Sequence, residues 1–201
     1  MIKNLIFDVG GVLIGYRWIE MLTEDFGVDR SEAEQLGGFI FEDPMWSEFD
    51  RGVRDVEEVI EYYSSLLPQK STLIRRIFYE GHLMPVERER VWEKLEILKN
   101  KGYRIFILSN YSKFLFEMHT DGMPFRDMLD GGVVSYEVKM IKPESGIYAS
   151  LLEKYDLDPA ECLFYDDREE NTDGARAAGM EAVLVTSEEM LLEDMDRFVS
   201  G

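Results

Sequence analysis

Positive charge is scarce in this 201-residue chain: 22 Lys and Arg stand against 41 Asp and Glu, a net charge of −19. A surface this acidic repels nucleic acid and anionic membrane, so neither is an expected partner. Cysteine is almost absent. Cys162 stands alone, so no internal disulfide can form, and its setting in CLFY reads as a small packed hydrophobe. That fits a reducing compartment. Long hydrophobic runs are also missing. No segment approaches the roughly 18 apolar residues of a membrane span. The apolar stretch in MIKNLIFD is too short for a signal peptide, and the expectation is a soluble cytoplasmic protein. Histidine is limited to His82 and His119, both read as structural or exposed. No repeat, low-complexity tract or long linker is seen.

What is present is an alternation. Leu5–Phe7, Arg104–Leu108, Cys162–Tyr165 and Ala182–Val185 read as buried parallel strands, with Gly132–Ser135 a weaker one. Helical patterns at Val86–Asn100, Lys113–His119, Ser145–Tyr155 and Asn171–Ala178 fall between them. Strand and helix in turn predict an α/β fold, a doubly wound, mostly parallel Rossmann-like sheet. The interval from Tyr16 to Met84 differs. It reads as helical throughout, as in DVEEVIEYYSSLL and KSTLIRRIFYE. The expected organisation is a core of residues 1–15 and 85–201 carrying an inserted helical unit, residues 16–84.

The stretch LIFDVGGVLIG places Asp8 at the end of a run that otherwise reads as fully buried. In open α/β sheets, ligands bind beyond the carboxyl ends of the strands. Asp8-Val9-Gly10-Gly11 follows the first strand, Ser109-Asn110 the second and Asp166-Asp167 a third, while Lys142-Pro143 precedes a helix. Each piece alone has an ordinary explanation as a turn, a cap or an acidic first turn. Together they bring a carboxylate, a hydroxyl, a lysine and a carboxylate pair to one crevice.

FDVGGVL, ILSN, KPESGIY and LFYDDREEN resemble, in order, the four motifs of the haloacid dehalogenase (HAD) superfamily. The insert resembles its helical cap. The glycine-bearing first motif is most similar to the subgroup resembling α-D-glucose-1-phosphate phosphatase. The resemblance implies a Mg²⁺-dependent phosphatase acting on a small phosphorylated metabolite, with a sugar phosphate as the expected class. Asp8 would be the nucleophile and form an aspartyl-phosphate that water hydrolyses. Ser109 and Lys142 would complete the catalytic set. Asp8, the Gly10 carbonyl and Asp167 would hold Mg²⁺, relieving the repulsion between carboxylate and phosphate. Gly10, Gly11, Asn110 and Arg51 would face the substrate, Gly11 by leaving room for close backbone approach. Asp166 and Asn171 would support Lys142 or metal-bound water from behind. Trp46 and Phe49 in MWSEFDRG are also candidates to face the site, against an ordinary reading as core residues, and Tyr111 is a candidate border of the pocket.

One position departs from the family pattern. Most phosphatases of the superfamily carry a second aspartate, a general acid and base, two residues after the nucleophile. Here that residue is Gly10. The alternatives are therefore a weakly active or non-catalytic binding protein, and a metal-free 2-haloacid dehalogenase, against which the Asp166-Asp167 pair argues.

Overall fold

The computed structural model describes residues 1–199. At its centre lies β1 (Asn4–Phe7), buried at every position. The helical segment that follows is bracketed by two short strands, β2 (Ile14–Tyr16) and β3 (Pro85–Glu87). The remaining strands are β4 (Arg104–Ser109), β5 (Gly131–Val134), β6 (Cys162–Asp166) and β7 (Glu181–Leu184). Five of them form one parallel sheet in the order β5-β4-β1-β6-β7. This is the expected α/β architecture. β1 pairs with β4 on one side and β6 on the other, so the connections diverge at its carboxyl end. That divergence opens the crevice where such sheets bind ligands.

Side-chain alternation along these strands feeds two apolar layers. Ile6, Phe106, Leu108 and Phe164 pack on one face with Ile147, Tyr148 and Leu151 of α9 (Ser145–Tyr155). Leu5, Phe7, Ile105, Ile107 and Tyr165 pack on the other. That second face is covered by α6 (Glu89–Asn100) and α11 (Glu188–Val199). Both faces being covered explains why the strands read as continuous apolar runs. Three further helices complete this part: α7 (Lys113–Thr120), the short α8 (Ser135–Val138) and α10 (Glu169–Ala177). Gly174 lies within α10. A Cβ there would sit 2.6 Å from the Tyr148 hydroxyl, so the glycine lets the two helices approach.

The insert carries α1 (Trp18–Glu20), α2 (Arg30–Phe41), α3 (Pro44–Asp50), α4 (Val56–Leu66) and α5 (Ser71–Tyr79). Aspartates start three of these helices. Asp29 accepts from the Ser31 amide, Asp43 from Met45, and Asp55 forms a capping box with Glu58. Each such cap contributes about 1 kcal/mol. At the junction the local structure differs from the helical reading. Tyr16 ends a strand rather than opening a helical unit, and Val86 lies in β3 rather than in α6. Ile14–Tyr16 pairs antiparallel with Pro85–Glu87, so a two-stranded ribbon links insert and sheet. Among the described residues, no helix is long and apolar enough to cross a membrane.

Candidate active site

Three donors converge on one oxygen of Asp8. The Val9 amide lies 2.7 Å from Oδ1, the Ser109 hydroxyl 2.6 Å, and the Lys142 ammonium 3.0 Å. The other oxygen receives no hydrogen bond among the described residues. Asp8 is only 8% exposed, and burial pushes its carboxyl up to about 7. Lys142 opposes that rise, Asp166 and Asp167 add to it, and the Ser109 hydrogen bond lowers it.

Lys142 is held from two sides. Its Nζ lies 2.5 Å from Asp166 Oδ2, while Asp166 Oδ1 accepts from the Arg168 amide and from Asn171 Nδ2, each at 2.9 Å. Burial pulls the ammonium down, but the Asp8 and Asp166 carboxylates together raise it, so it stays charged. Asn110 fixes the backbone of Lys142. Its Nδ2 donates to the Lys142 carbonyl at 3.0 Å and its Oδ1 accepts the Lys142 amide at 2.7 Å. The Asn110 side chain borders the cavity but spends both polar atoms on Lys142, not on the substrate as expected.

Oxygens from Asp8, Asp166 and Asp167 lie within 4.8 Å of one another. Both oxygens of Asp166 are already bonded, whereas Asp167 is exposed and its side chain makes no hydrogen bond among the described residues. The open oxygen of Asp8 and the Asp167 carboxylate are therefore the donors available to a hard divalent cation. Gly11 makes room for them. Its φ is +73°, and a Cβ there would sit 2.3 Å from Asp167 Oδ2. This neighbour is a carboxylate, not the substrate backbone approach the sequence led us to expect.

At Gly10 the constraint is different. A Cβ would lie 2.4 Å from the Tyr16 hydroxyl, so Tyr16 fills the space beside it. The Tyr16 and Tyr111 hydroxyls are hydrogen-bonded, and Tyr111 reaches His119 Nδ1 at 2.9 Å. Burial pushes His119 down to about 4, so it is neutral near pH 7.

These groups open onto a cavity of about 510 Å³. The sheet contributes Asp8, Ser109, Lys142 and Asp167 to its wall. The insert and its flanks contribute Tyr16, Trp18, Phe41, Trp46, Asp50 and Met84. The aromatic part is prebuilt. Trp18 meets Phe41 edge-on at 5.4 Å and Phe41 meets Trp46 at 4.8 Å. Gly37 seats the Trp18 ring, which a Cβ would contact at 2.2 Å.

Arg51 does not join this wall. It forms a bidentate pair with Glu144 at 2.6 and 2.8 Å and donates to the Lys139 carbonyl at 3.2 Å. Phe49 is core, at 2% exposed, and His82 is exposed away from the cavity. The sequence reading missed Tyr16, Trp18, Phe41, Met84 and Asp50. None of these carries a motif.

A haloacid dehalogenase-like hydrolase profile matches residues 2–179. The chain belongs to this family. Among curated relatives, a sesquiterpene phosphatase of Aspergillus oryzae is 29% identical, over 92% of this chain and 90% of its own length. A D-ribitol-5-phosphate phosphatase of Bacteroides thetaiotaomicron is 23% identical, over 90% of each. Among solved structures, a HAD family enzyme of B. thetaiotaomicron, in complex with magnesium and inorganic phosphate, superposes with a TM-score of 0.71. It is 23% identical and covers 94% of this chain and 96% of its own. A dehalogenase with an intermediate complex reaches 0.74 at 18% identity, over 93% and 86%. These relatives share the fold and do not single out the glucose-1-phosphate phosphatase subgroup.

Proposed function

We propose that this HAD hydrolase is a Mg²⁺-dependent phosphatase that cleaves a small phosphorylated metabolite through an aspartyl-phosphate on Asp8. The observation that carries the reading is the asymmetry of Asp8. One oxygen is fixed by Val9, Ser109 and Lys142, the other receives no hydrogen bond among the described residues, and an Asp167 oxygen lies within 4.8 Å of the carboxylate. A carboxylate so oriented is a positioned nucleophile. Asp8, Asp167 and the Gly10 carbonyl would hold Mg²⁺, which when bound offsets the charge of the phosphoryl oxygens. Lys142 supplies a fixed positive charge at the same point. Asp166 and Asn171 keep Lys142 in place rather than binding the ion. The relatives named as phosphatases, and the structural relative holding magnesium and phosphate, support this reading. A dehalogenase needs no metal and gives Asp167 no task.

The substrate would sit between a core, residues 1–15 and 85–201, and a cap, residues 16–84. Trp18, Phe41, Trp46 and Met84 favour a phosphorylated alcohol with an apolar body over the fully hydroxylated sugar expected from the sequence. A screen of prenyl, alkyl, aryl and sugar phosphates, with and without Mg²⁺, tests this. Phosphate release should require Mg²⁺ and favour the apolar esters. Halide release from a 2-haloacid without metal, and no phosphate release, would overturn it.

A further inference from the structure

Breaking a phosphate ester at Asp8 leaves an alkoxide that needs a proton. Gly10 has no side chain to give one, and Tyr16 occupies the space beside it. Tyr16 itself is a poor donor, because burial holds its phenol well above the ordinary tyrosine range. His119 is neutral and lies behind Tyr111. Lys142 is locked between two carboxylates, and Arg51 is paired with Glu144. The insert, however, brings one carboxyl to the cavity wall, that of Asp50 at the end of α3.

We propose that Asp50 is the general acid and base of the reaction, reaching the leaving oxygen from the cap in place of a side chain at Gly10. The proposal rests on the phosphatase reading above. Its geometry comes from two ties to the sheet. The Ser112 amide donates to Asp50 Oδ1 at 3.1 Å, and the Ser135 hydroxyl donates to the Asp50 backbone carbonyl at 2.5 Å. Ser112 follows the Ser109-Asn110-Tyr111 loop, so the carboxyl is anchored to the segment that holds the nucleophile.

The surroundings suit the task. Burial pushes Asp50 up to about 7, and the charge of Asp8 adds to this, while the Ser112 amide, Lys142 and the Trp46 indole oppose it. The other titratable groups facing it are the Tyr16, Tyr63 and Tyr111 phenols. A carboxyl near 7 is part protonated at neutral pH, where an acid and base of alternating role works best.

The steps balance. An Asp8 oxygen bonds to phosphorus, the phosphorus–oxygen bond to the alcohol breaks, and the Asp50 proton goes to the departing oxygen. Asp50, now a carboxylate, takes a proton from water as the water oxygen bonds to phosphorus. The Asp8–phosphorus bond breaks, phosphate leaves, and Asp50 is protonated again.

A purely structural role for Asp50 is separable, because Asp50→Asn keeps an acceptor for the Ser112 amide and the carbonyl bonded to Ser135. With Mg²⁺ present, kcat/KM is compared for an alkyl phosphate and for 4-nitrophenyl phosphate, whose leaving group needs no proton. Asp50→Asn should lower the alkyl value by about 10²-fold or more and the nitrophenyl value by less than about threefold. It should also abolish the fall in alkyl kcat/KM above about pH 7. Equal losses on both esters, at unchanged Mg²⁺ affinity and thermal stability, would overturn the proposal and leave a positioning role. If the variant does not fold, a leaving-group series on the unmodified protein decides. A shallow dependence on leaving-group pKa supports an acid, and a steep one excludes it. Hydrolysis by the unmodified protein with an insensitive Asp50→Asn variant defeats this proposal alone. No Mg²⁺-dependent hydrolysis of either ester defeats the phosphatase reading, and this proposal with it.

Discussion

The sheet and the inserted helices handle charge in opposite ways. At the sheet, Lys142 and Asp166 are almost wholly buried and fully bonded, with Asn171 and the Arg168 amide closing the set. Such a network is rigid, and removing one member leaves a charge stranded. The insert meets the sheet through a shared apolar core and through buried polar bonds, with exposed ion pairs only at the rim. Arg51 pairs with Glu144, Lys139 donates to the Gly52 carbonyl, and Ser112 and Ser135 bond Asp50. The Arg51 and Glu144 side chains are 28% and 44% exposed. An exposed pair of that kind is individually weak. The difference teaches where each job is done. Asp8, the proposed nucleophile, is built on a frame of buried charges, and the proposed cap joins that frame across a junction whose charged pairs lie at the surface.

The sharpest break to this comparison falls on the frame. Asp8→Asn should lower turnover by about 10⁴-fold or more while circular dichroism and thermal melting show an intact fold. A folded variant with full activity would remove Asp8 from the chemistry. Next comes Lys142→Met, which leaves Asp8 and Asp166 facing each other without a cation. A loss of about 3–5 kcal/mol in denaturant unfolding is expected. A loss below about 1 kcal/mol would mean that the frame is not a coupled network.

Metal binding sharpens the assignment within the frame. Asp167→Ala should weaken Mg²⁺ far more than Asp166→Ala does, because only Asp167 has unbonded oxygens. Titration calorimetry on both variants checks this, and equal affinities would reverse it.

The pH dependence has a definite sign. Asp8 and Asp50 are both held near 7 in the metal-free protein, above the 3.8 of an unstructured aspartate. Between about pH 4 and 7 the folded state binds more protons than the unfolded one. The stability these groups contribute is thus present at low pH and lost as pH rises through 7. The melting temperature of metal-free protein should fall over that range, and Asp50→Asn should flatten the fall. Identical slopes in the two proteins would show that Asp50 is not held up.

The smallest effect is expected at the seam. Arg51→Ala should change stability by less than about 1 kcal/mol and KM by less than about twofold. A tenfold rise in KM would put Arg51 on the substrate after all.

The frame was legible in the sequence because Asp8, Ser109 and Asp166-Asp167 stand at strand ends, while Lys142-Pro143 precedes a helix. Asp8 stands out as a charge in an apolar run, and Ser109, Lys142 and Asp166-Asp167 recur at the same sheet edge. The cavity's other wall was legible only at Trp46 and Tyr111. Trp18, Phe41 and Trp46 have the helical spacing of core residues, and nothing in spacing distinguishes packing against protein from packing against a ligand. The choice of Arg51 missed by one residue. Neighbours on a helix point about 100° apart, so Asp50 faces the cavity while Arg51 turns to Glu144. Ile14–Tyr16 is too short to show a strand period, so in sequence Tyr16 reads as part of the helical unit.

The covalent step proposed for Asp8 can be tested directly. Protein turning over an alkyl phosphate with Mg²⁺ is quenched in acid, reduced with borohydride, digested and sequenced by mass spectrometry. Reduction converts an aspartyl-phosphate to homoserine. Homoserine at residue 8, absent without substrate and absent in Asp8→Asn, is the predicted result. Turnover that proceeds with aspartate intact at residue 8, or with homoserine at Asp50 or Asp167 instead, would contradict it.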